Sequence, residues 1–243
     1  MKYQPLVSVI IPTHNAASTL RESLESVLNQ TYIQVEIIVV DYQSTDNTRE
    51  IVRSFPSVRF YSEAEKGVYQ AMNSGIAQAN GEWLYFLGAD DLLYNSLVFK
   101  SIFEHEIPEN TQLLLGKVEN IGAEHSLVKT IYENAFNHSL YWRNTLHHQG
   151  ILYHKSIFDT FEYNINYSIL ADYELNLRLF LAKTKAFHCK LFFAKSYAGG
   201  ISKQFTHTLY NEESALKKEL LPFIPRLINY FVIKMKRLIK VKS

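Results

Sequence analysis

Acidic side chains follow two apolar runs of this sequence, at the point where each run ends. Asp90 and Asp91 follow the aromatic-rich run Trp83–Leu87, and Asp41 follows the run Val35–Val40. Short apolar runs of this kind are typical of buried strands, and open α/β sheets bind ligands just beyond the carboxyl ends of their strands. Two adjacent carboxylates there predict an oxygen-ligated divalent cation, Mg²⁺ or Mn²⁺. The alternative is a polar turn in which Asp91 caps the next helix.

The elements that would hold these acids alternate along the first hundred residues. Buried-type strands are predicted over 7–11, 35–40, 58–61 and 83–87. Helical spacing of apolar residues predicts helices over 18–30, 48–54 and 68–79. This order predicts an α/β fold with a mostly parallel sheet, right-handed crossovers and helices on its faces. The polar ends of the first, second and fourth strands then converge on one edge, which favours a single binding site there.

Composition describes a folded chain of nearly balanced charge. It has 243 residues, of which 47% are hydrophobic, and a formal net charge of +1. The length suits one α/β domain with an appendage, and the charge gives no argument for nucleic acid as a partner. The one cysteine, Cys189, cannot form an internal disulfide, which suits the cytoplasm. We expect no signal peptide and no membrane-spanning helix.

The C-terminal segment, residues 211–243, departs from this charge balance. No acid follows Glu219, and the basic residues after it alternate with apolar ones. Pro222 and Pro225 leave residues 226–242 as the better helical stretch. A basic amphipathic helix predicts a peripheral protein on the anionic inner face of the cell membrane. The alternative is a helix that packs its apolar face on the domain and leaves its lysines in water.

Three stretches, taken in order, resemble family 2 glycosyltransferases of the bacterial cell-surface polysaccharide type. They read VSVIIPTHNAASTLRESLESVLNQTY, EIIVVDYQSTDNT and EKGVYQAMNSGIAQANGEWLYFLGADD, and the similarity extends over residues 6–205. The resemblance implies a GT-A fold, which is a Rossmann-like sheet flanked by helices, here with a C-terminal helical extension. It implies a GT-A domain over 1–210, with its nucleotide-binding half over 1–95 and its acceptor half over 96–210. A GxGxxG turn does not follow the first strand, which disfavours a dinucleotide oxidoreductase.

The resemblance implies that the first two stretches bind the nucleotide of a sugar donor, which is expected to be UDP-linked. Asp41 is expected to accept a hydrogen bond from the imide N–H of the base. The other implied nucleotide-sugar residues are Pro12, Thr13, Asn15, Lys66 and Asp90. The family pattern DDGSxD here reads Asp41-Tyr42-Gln43-Ser44-Thr45-Asp46. The two changes, at Tyr42 and Gln43, leave the loop shape and the base preference open.

The third stretch carries the metal-binding position of the family, DxDD, in the altered form Gly88-Ala89-Asp90-Asp91. The resemblance implies Asp91 as a ligand of Mn²⁺ or Mg²⁺. Asp90 is expected on the ribose or as a second metal contact. Such a cation neutralises the charge that develops on a departing nucleotide.

Further along, Asp172 in the stretch ILADYELNLR matches the catalytic base of the family. That residue would take the proton of an acceptor hydroxyl while the sugar is transferred with inversion. Asp172 also suits a helix N-cap, and the two roles are compatible. Glu174 is expected on the exposed face of the same helix.

Two short segments are expected to line the acceptor or donor-sugar pocket, namely His148-Gln149 and Gly199-Gly200. Hydrogen-bonded structural histidines are the alternative for the first segment. A metal site made of His147 and His148 is disfavoured, because adjacent strand residues face opposite ways. The two glycines would permit a mobile loop over the donor.

Together these residues predict a metal-assisted, inverting hexosyl- or N-acetylhexosaminyl-transferase that acts on a lipid-linked oligosaccharide or a polysaccharide. A nucleotidyltransferase on a similar sheet is disfavoured, because the segment Pro12–Asn15 is not a glycine-rich basic phosphate loop. A non-catalytic nucleotide-sugar binder at the membrane stays open, since the first acid of the metal motif is missing at Gly88. The acids expected of an enzyme are nevertheless present at Asp90, Asp91 and Asp172.

Overall fold

The computed structural model describes residues 4–65, 67–122, 130–197 and 206–240, without the side chains of 231 and 235–240. The strands are β1 (Val7–Thr13), β2 (Val35–Tyr42), β3 (Val58–Glu63), β4 (Trp83–Phe86), β5 (Leu92–Leu93), β6 (Leu113–Ile121), β7 (Ile131–Glu133), β8 (Ile151–His154) and β9 (Ala186–Tyr197). The helices are α1 (Leu20–Leu28), α2 (Thr48–Arg53), α3 (Val68–Gln78), α4 (Val98–Glu104), α5 (Ala171–Leu181), α6 (His207–Leu220) and α7 (Phe223–Lys240). Short 3₁₀ turns span His138–Tyr141, His148–Gly150 and Lys155–Asp159.

The nine strands of the described ranges belong to one sheet, in the order β3-β2-β1-β4-β8-β6-β9-β5. Strand β7 pairs with residues 117–119 of β6, beyond the residues 113–115 that pair with β8. The first four strands are parallel, as predicted, and β6 with β9 forms a further parallel pair. Strand β8 runs antiparallel to both β4 and β6, and it joins the two parallel parts. The α/β fold with a mostly parallel sheet flanked by helices is therefore confirmed, and the antiparallel strands β5, β7 and β8 were not predicted.

Strand β1 lies in the middle of the parallel part, and all seven of its residues are buried. Helices cover both faces of such a strand, which is why its sequence is a continuous apolar run instead of an alternating one. Helix α3 packs closely on this strand through Gly75, where an added Cβ would lie 2.4 Å from Ile10 Cγ2. The register pairs Thr13 with Asp41 and Ile10 with Phe86. The carboxyl ends of β1, β2 and β4 therefore meet at one edge.

The region after the two acids differs from its sequence-based prediction. Leu92 and Leu93 form β5, which pairs with Lys195 and Ala194 of β9, and the next helix begins only at Val98. Asp91 is therefore not the cap of a helix. Pairing with a strand about a hundred residues away decides this, and local sequence patterns carry no information about such a partner.

Helices α6 and α7 pack against the domain and against each other. The predicted boundary at residue 210 falls inside α6, whose Leu209 and Leu216 belong to the main hydrophobic core. Helix α7 buries Asn229 and Ile233. Its large apolar side chains instead face outward at Phe223, Ile224, Leu227, Ile228, Tyr230 and Val232. Within the described ranges, no helix is both long enough and apolar enough to cross a bilayer.

Candidate active site

The loops after β1 and β2 are joined by hydrogen bonds around Asp41. This carboxylate is 2% exposed, and its Oδ1 accepts from Thr13 Oγ1 at 2.9 Å and from Ser44 Oγ at 2.5 Å. Its Oδ2 accepts from Ser44 N at 3.2 Å. A carboxylate has about four acceptor positions, so one remains for a ligand such as a base N–H. The predicted contact between Asp41 and the nucleotide base stays a prediction.

The position of the family glycine in this loop is occupied by Gln43, which has φ of +64°. Glycine is favoured at such a backbone angle because it has no Cβ. Gln43 adopts the same left-handed conformation, and its amide Nε2 donates to Ala64 O at 2.6 Å. Asn15 also has a positive φ, and its Oδ1 accepts from Thr45 N at 2.9 Å. The loop thus has a glycine-like turn although the glycine is absent.

Tyr42, the other departure from the family pattern, stacks on the ring of His14. Their ring centroids are 5.0 Å apart and the rings are inclined by 12°. His14 Nδ1 also lies 2.7 Å from Tyr42 O. Pro12 is buried within β1 directly before this pair, whereas Asn15 is exposed. The edge of the sheet beyond β1 and β2 is therefore polar and carries the stacked rings of His14 and Tyr42. This is the place predicted for the nucleotide.

Asp91 is buried at the carboxyl end of β4 among side chains from distant parts of the chain. It is 3% exposed, and it accepts hydrogen bonds from the Gln149 side chain, the Ser196 side chain and the Tyr197 backbone. Burial, together with the neighbouring charge of Asp90, raises the pKa of Asp91 to about 6 despite these hydrogen bonds. A buried anion of raised pKa is stabilised by a cation that binds beside it.

The glycine that replaces the first acid of the metal motif has a structural reason. A Cβ added at Gly88 would lie 2.4 Å from Asp91 Oδ2 and 3.0 Å from Asp90 Oδ1. The carboxylate of Asp91 therefore occupies the space that a side chain at position 88 would need. A glycine at position 88 therefore leaves the room that the buried side chain of Asp91 needs.

Asp90 is exposed next to the buried Asp91. Among the described residues, no group of three or more histidine, cysteine or acidic side chains could hold a metal without substrate. Magnesium is usually held by one or two carboxylates together with substrate phosphates. The buried Gln149 Oε1 has no hydrogen-bond partner in the described part of the chain, and it adds an oxygen beside Asp91. The oxygen donors at this edge thus fit a divalent cation that a diphosphate helps to bind.

Asp172 lies in the first turn of α5 with three hydrogen-bond donors around its carboxylate. Oδ1 accepts from Tyr173 N at 2.7 Å and from the Tyr69 hydroxyl at 3.3 Å. Oδ2 accepts from Asn144 Nδ2 at 3.3 Å. Burial raises the pKa of Asp172 to about 6, with the hydrogen bonds acting in the opposite direction. A carboxylate with a pKa near neutrality is a better proton acceptor than an ordinary one.

His148 lies next to Asp172, and the charge of Asp90 acts on it as well. Its Nδ1 lies 3.9 Å from Asp172 Oδ2. Burial lowers the pKa of His148 to about 4, against the opposing effect of Asp90. The ring is therefore neutral at pH 7, so its contact with Asp172 is not an ion pair. Asp172 thus lies beside a histidine whose next residue, Gln149, donates to Asp91.

Several predicted features differ in detail from the structure. His147 and His148 stack with ring centroids 5.7 Å apart, because His148 begins a 3₁₀ turn; the prediction that they face opposite ways is wrong. Gln149 is buried against Asp91, and its predicted place in a sugar pocket stays a prediction. Glu174 is 3% exposed and pairs with Arg178 at 2.8 Å, so its predicted exposure is wrong.

Sequence reasoning missed Asn144, Ser196 and the role of Tyr69 beside Asp172. Asn144 and Ser196 are polar residues in segments without a motif, and Tyr69 lies in the third family stretch. Their places beside Asp172 and Asp91 become visible only when the chain folds. Lys66, Gly199 and Gly200 were predicted to bind the nucleotide sugar or to line the pocket. All three lie outside the described residues, so these predictions stay as they were.

Residues 8–169 match the model of Glycosyl transferase family 2. This match spans more than half of the chain. The chain belongs to glycosyl transferase family 2. Its resemblance in sequence to that family is confirmed, and the protein is a glycosyltransferase.

A curated relative supports the same conclusion. The chain is 36% identical over 187 residues to a PGL/p-HBAD biosynthesis glycosyltransferase of Mycobacterium bovis, an alignment that covers 72% of this chain and 70% of the relative. At this identity the two proteins share the family and the kind of reaction. The PGL/p-HBAD biosynthesis in the name of the relative describes that protein.

Two solved structures share the fold. The S. aureus TarS 1–349 structure has a TM-score of 0.73 and 19% identity, covering 97% of this chain and 75% of that one. TarS has also been solved in complex with UDP-GlcNAc. The mannosyltransferase PcManGT of Pyrobaculum calidifontis, in complex with GDP-Man and Mn²⁺, has a TM-score of 0.60 and 18% identity, covering 96% of this chain and 65% of that one. These likenesses confirm the GT-A fold of this glycosyltransferase.

Proposed function

We propose that this glycosyltransferase moves a sugar from a UDP-sugar to an acceptor hydroxyl with inversion at the anomeric carbon, and that Asp172 is the base. The observation that carries this proposal is the setting of Asp172, a largely buried carboxylate whose pKa is raised to about 6. Its Oδ2 lies 3.9 Å from His148 Nδ1, and the next residue along the chain, Gln149, donates to Asp91 at the end of β4. In an inverting displacement the acceptor hydroxyl attacks the anomeric carbon from the side opposite the departing diphosphate, so its base must lie beside that carbon.

In this mechanism Asp172 Oδ2 accepts the proton of the acceptor hydroxyl as the hydroxyl oxygen attacks the anomeric carbon. The bond from that carbon to the diphosphate oxygen breaks in the same step, and UDP leaves. The hydroxyl becomes more acidic as the new bond forms, so a carboxylate with a pKa near 6 is a competent base. Tyr69 and Asn144 hold the carboxylate through hydrogen bonds to opposite oxygens. The neutral ring of His148 leaves the negative charge of Asp172 unpaired and available.

The donor end is proposed at the edge formed by β1, β2 and β4. Asp91 and Asp90 would hold Mn²⁺ or Mg²⁺, which neutralises the charge on a leaving diphosphate. Without a cation, the carboxylates at this edge would repel a diphosphate. Pro12, Thr13, Asn15 and Asp41 would bind the nucleoside. The choice of UDP is supported by the UDP-GlcNAc complex of TarS, whereas GDP-Man in PcManGT is the competing precedent.

The proposed function is tested first by nucleotide binding and sugar transfer with the wild-type protein. Calorimetric titration of UDP, with GDP as the control, is expected to reveal binding of UDP that requires Mn²⁺ and is abolished by EDTA. Transfer from a panel of UDP-sugars to a lipid-linked glycan then identifies the sugar. Preference for GDP would overturn the donor assignment. Binding without any transfer or hydrolysis would favour a non-catalytic nucleotide-sugar binder.

The rate of transfer is expected to fall with decreasing pH because Asp172 must be ionised to act as a base. Its pKa is raised to about 6, so kcat should be constant above about pH 7 and fall about tenfold per pH unit below about pH 5.5. The measurement is kcat from pH 5 to 8 with saturating Mn²⁺, because the pKa of Asp91 is also raised to about 6. A flat profile down to pH 5 would contradict the assignment of Asp172.

We propose further that α7 lies on an anionic membrane surface, at the cytoplasmic face where a lipid-linked acceptor would be found. The helix is attached by Asn229, whose Nδ2 donates to Tyr141 O at 2.9 Å and whose Oδ1 accepts from Lys217 Nζ at 2.9 Å. Its apolar side chains therefore point away from the protein, with Ile224 71% and Leu227 49% exposed. A helix that buries a polar side chain and exposes its apolar face suits the lipid headgroup region.

Basic residues support an anionic lipid as the occupant of this face. Arg226 and Lys234 are exposed on α7, and no acid follows Glu219 in the sequence. Each Lys or Arg near a membrane surface contributes about 1 kcal/mol of attraction to anionic lipid. The predicted alternative, a helix that packs its apolar face on the domain, disagrees with the exposed side chains of α7.

Vesicle sedimentation tests the membrane contact. The wild-type protein is expected to bind phosphatidylcholine vesicles that contain phosphatidylglycerol, and not vesicles of phosphatidylcholine alone. The double variant Ile224→Ser/Leu227→Ser should weaken binding by about tenfold or more, since each exposed apolar side chain contributes on the order of 1 kcal/mol. The matched control is Ile165→Ser, at an exposed isoleucine outside the tail. Dimerisation through α7 without vesicle binding would contradict the proposal.

A further inference from the structure

Helix α6 provides a carboxylate to the segment that immediately precedes α5. Glu212 is 9% exposed, and its Oε1 accepts from Ser168 N and Ser168 Oγ, both at 2.7 Å. Its Oε2 accepts from Ile169 N at 3.0 Å and from Leu170 N at 2.9 Å. One buried side chain thus satisfies three consecutive backbone N–H groups and a hydroxyl.

These four contacts lie directly next to the proposed base. Leu170 is the N-cap residue of α5, and it provides no side-chain cap of its own. The first backbone N–H groups of a helix have no partner within the helix, so they need one from elsewhere. Asp172 is the second residue of α5, two positions beyond Leu170. Glu212 therefore holds the chain up to the residue that lies two positions before Asp172.

Tyr69 also connects the segment 168–170 to Asp172. The Tyr69 hydroxyl lies 2.7 Å from Ile169 O and 3.3 Å from Asp172 Oδ1. Ile169 is thus held on its N–H by Glu212 and on its carbonyl by Tyr69. A shift of the segment 168–170 would move Asp172 and weaken its hydrogen bond to Tyr69 together.

We propose that Glu212 is a positioning residue for Asp172, acting by holding the segment 168–170 at the start of α5. This rests on the proposed function of Asp172 as the base. Glu212 does not touch the reacting atoms, so its effect is on the rate of transfer and not on donor binding. Misplacement of a reacting group by about 1 Å can cost on the order of a hundredfold in rate.

The substitution Glu212→Gln tests this proposal, because it keeps the shape of the side chain and replaces one acceptor oxygen by an NH₂ group. Whichever way the amide turns, two of the four donors lose their acceptor. We expect kcat to fall about 10- to 100-fold, with the KM for the donor and the Kd for UDP within about twofold of wild type. A fall in kcat of less than threefold would overturn the proposal.

The matched control is Glu213→Gln, at the neighbouring acid of α6. Glu213 is 8% exposed, and it accepts from Lys217 Nζ at 2.7 Å. Glu213→Gln also removes a buried carboxylate, and it leaves the buried Lys217 without its charge partner, so it is expected to be the less stable of the two variants. A merely structural role would therefore lower kcat at least as much in Glu213→Gln as in Glu212→Gln. The proposal requires the kcat of Glu212→Gln to be lower than that of Glu213→Gln when both are measured at the same concentration of folded protein.

Hydrogen–deuterium exchange tests, without any assay of activity, whether Glu212 holds the segment 168–170 in place. Amides in a peptide that covers residues 166–172 should exchange at least tenfold faster in Glu212→Gln than in Glu213→Gln. Equal exchange in the two variants would overturn the positioning role, whatever the activity. Faster exchange in a protein whose wild type transfers no sugar would instead overturn the proposed function, and would leave Glu212 as the residue that holds the segment.

Discussion

Replacement of Asp172 by asparagine is expected to lower kcat by about 10²- to 10⁴-fold, which is the range that one general base contributes. Asparagine keeps the size of the side chain and an oxygen that can accept from Tyr173 N, but it cannot take a proton. Binding of UDP should change by less than about twofold, because the nucleoside is proposed to bind near Asp41 and not near Asp172. Transfer assays and calorimetry on the same preparation measure the two quantities.

The same substitution is expected to leave the protein at least as stable as the wild type. Folding raises the pKa of Asp172 from 3.8 to about 6, so the folded state disfavours the ionised carboxylate. This cost is absent below about pH 4, increases as the pH rises from 4 to 6 and is complete at neutral pH. One pKa unit corresponds to about 1.4 kcal/mol, so the cost is at most about 3 kcal/mol. A higher melting temperature at pH 7 is the expected result.

Glu174→Gln is the matched control, because it removes a second buried acid from the same helix. Glu174 pairs with Arg178 and is not placed at the reaction. It should keep kcat within about threefold of wild type while losing some stability, since it leaves a positive charge without its partner. If Asp172→Asn retained more than a tenth of the wild-type kcat, another group would have to be the base.

Replacement of Asp91 by asparagine is expected to weaken the Mn²⁺-dependent binding of UDP by about a hundredfold. That factor corresponds to about 2.7 kcal/mol, within the several kcal/mol that a metal ion contributes to charge neutralisation. Asparagine has one neutral oxygen in place of a carboxylate, so it is a poorer ligand of a hard cation. Titration of UDP with Mn²⁺, and again with EDTA, measures how much of the affinity requires the metal.

Substitutions at the neighbouring acid, Asp90, and at a remote acid, Asp159, are the comparisons for Asp91→Asn. Asp90→Asn is expected to weaken the Mn²⁺-dependent binding by about tenfold, because Asp90 is the second proposed contact and is exposed to solvent. Asp159→Asn, at an exposed acid outside the site, should have no effect. If Asp91→Asn bound UDP with wild-type affinity and unchanged sensitivity to EDTA, the metal site at the end of β4 would be wrong.

The sequence by itself determined the family, the parallel half of the sheet and the acids at its edge. Buried parallel strands must be apolar along their whole length, and their helices must have an apolar face, so Val7–Thr13 and its neighbours are visible as patterns. Polar residues at the ends of such runs mark the binding edge, which is why Asp41, Asp90 and Asp91 could be identified. Asp172 was identified by its resemblance to the family and not by any periodicity.

Only the tertiary structure decided which residues surround those acids. Gln149 and Ser196 lie about 60 and 100 residues from Asp91. Gln149 was predicted for a sugar pocket and not beside Asp91, and Ser196 was not predicted at all. Glu212 stands in a stretch of α6 that reads as an ordinary charged helical surface, yet it is buried against the start of α5. Such contacts are set by the packing of distant elements, which sequence spacing does not encode.

Helix α7 also has features that the sequence determined and features that only the tertiary structure decided. The sequence determined which side chains of the helix share a face, because the 3.6-residue period sets their directions. Which face meets the protein was decided by one polar side chain, Asn229, whose hydrogen bonds to Lys217 and Tyr141 O hold the helix with its apolar face outward. A buried amide must be hydrogen-bonded, so the partners of Asn229 fix the rotation of the helix, and these partners exist only in the folded chain.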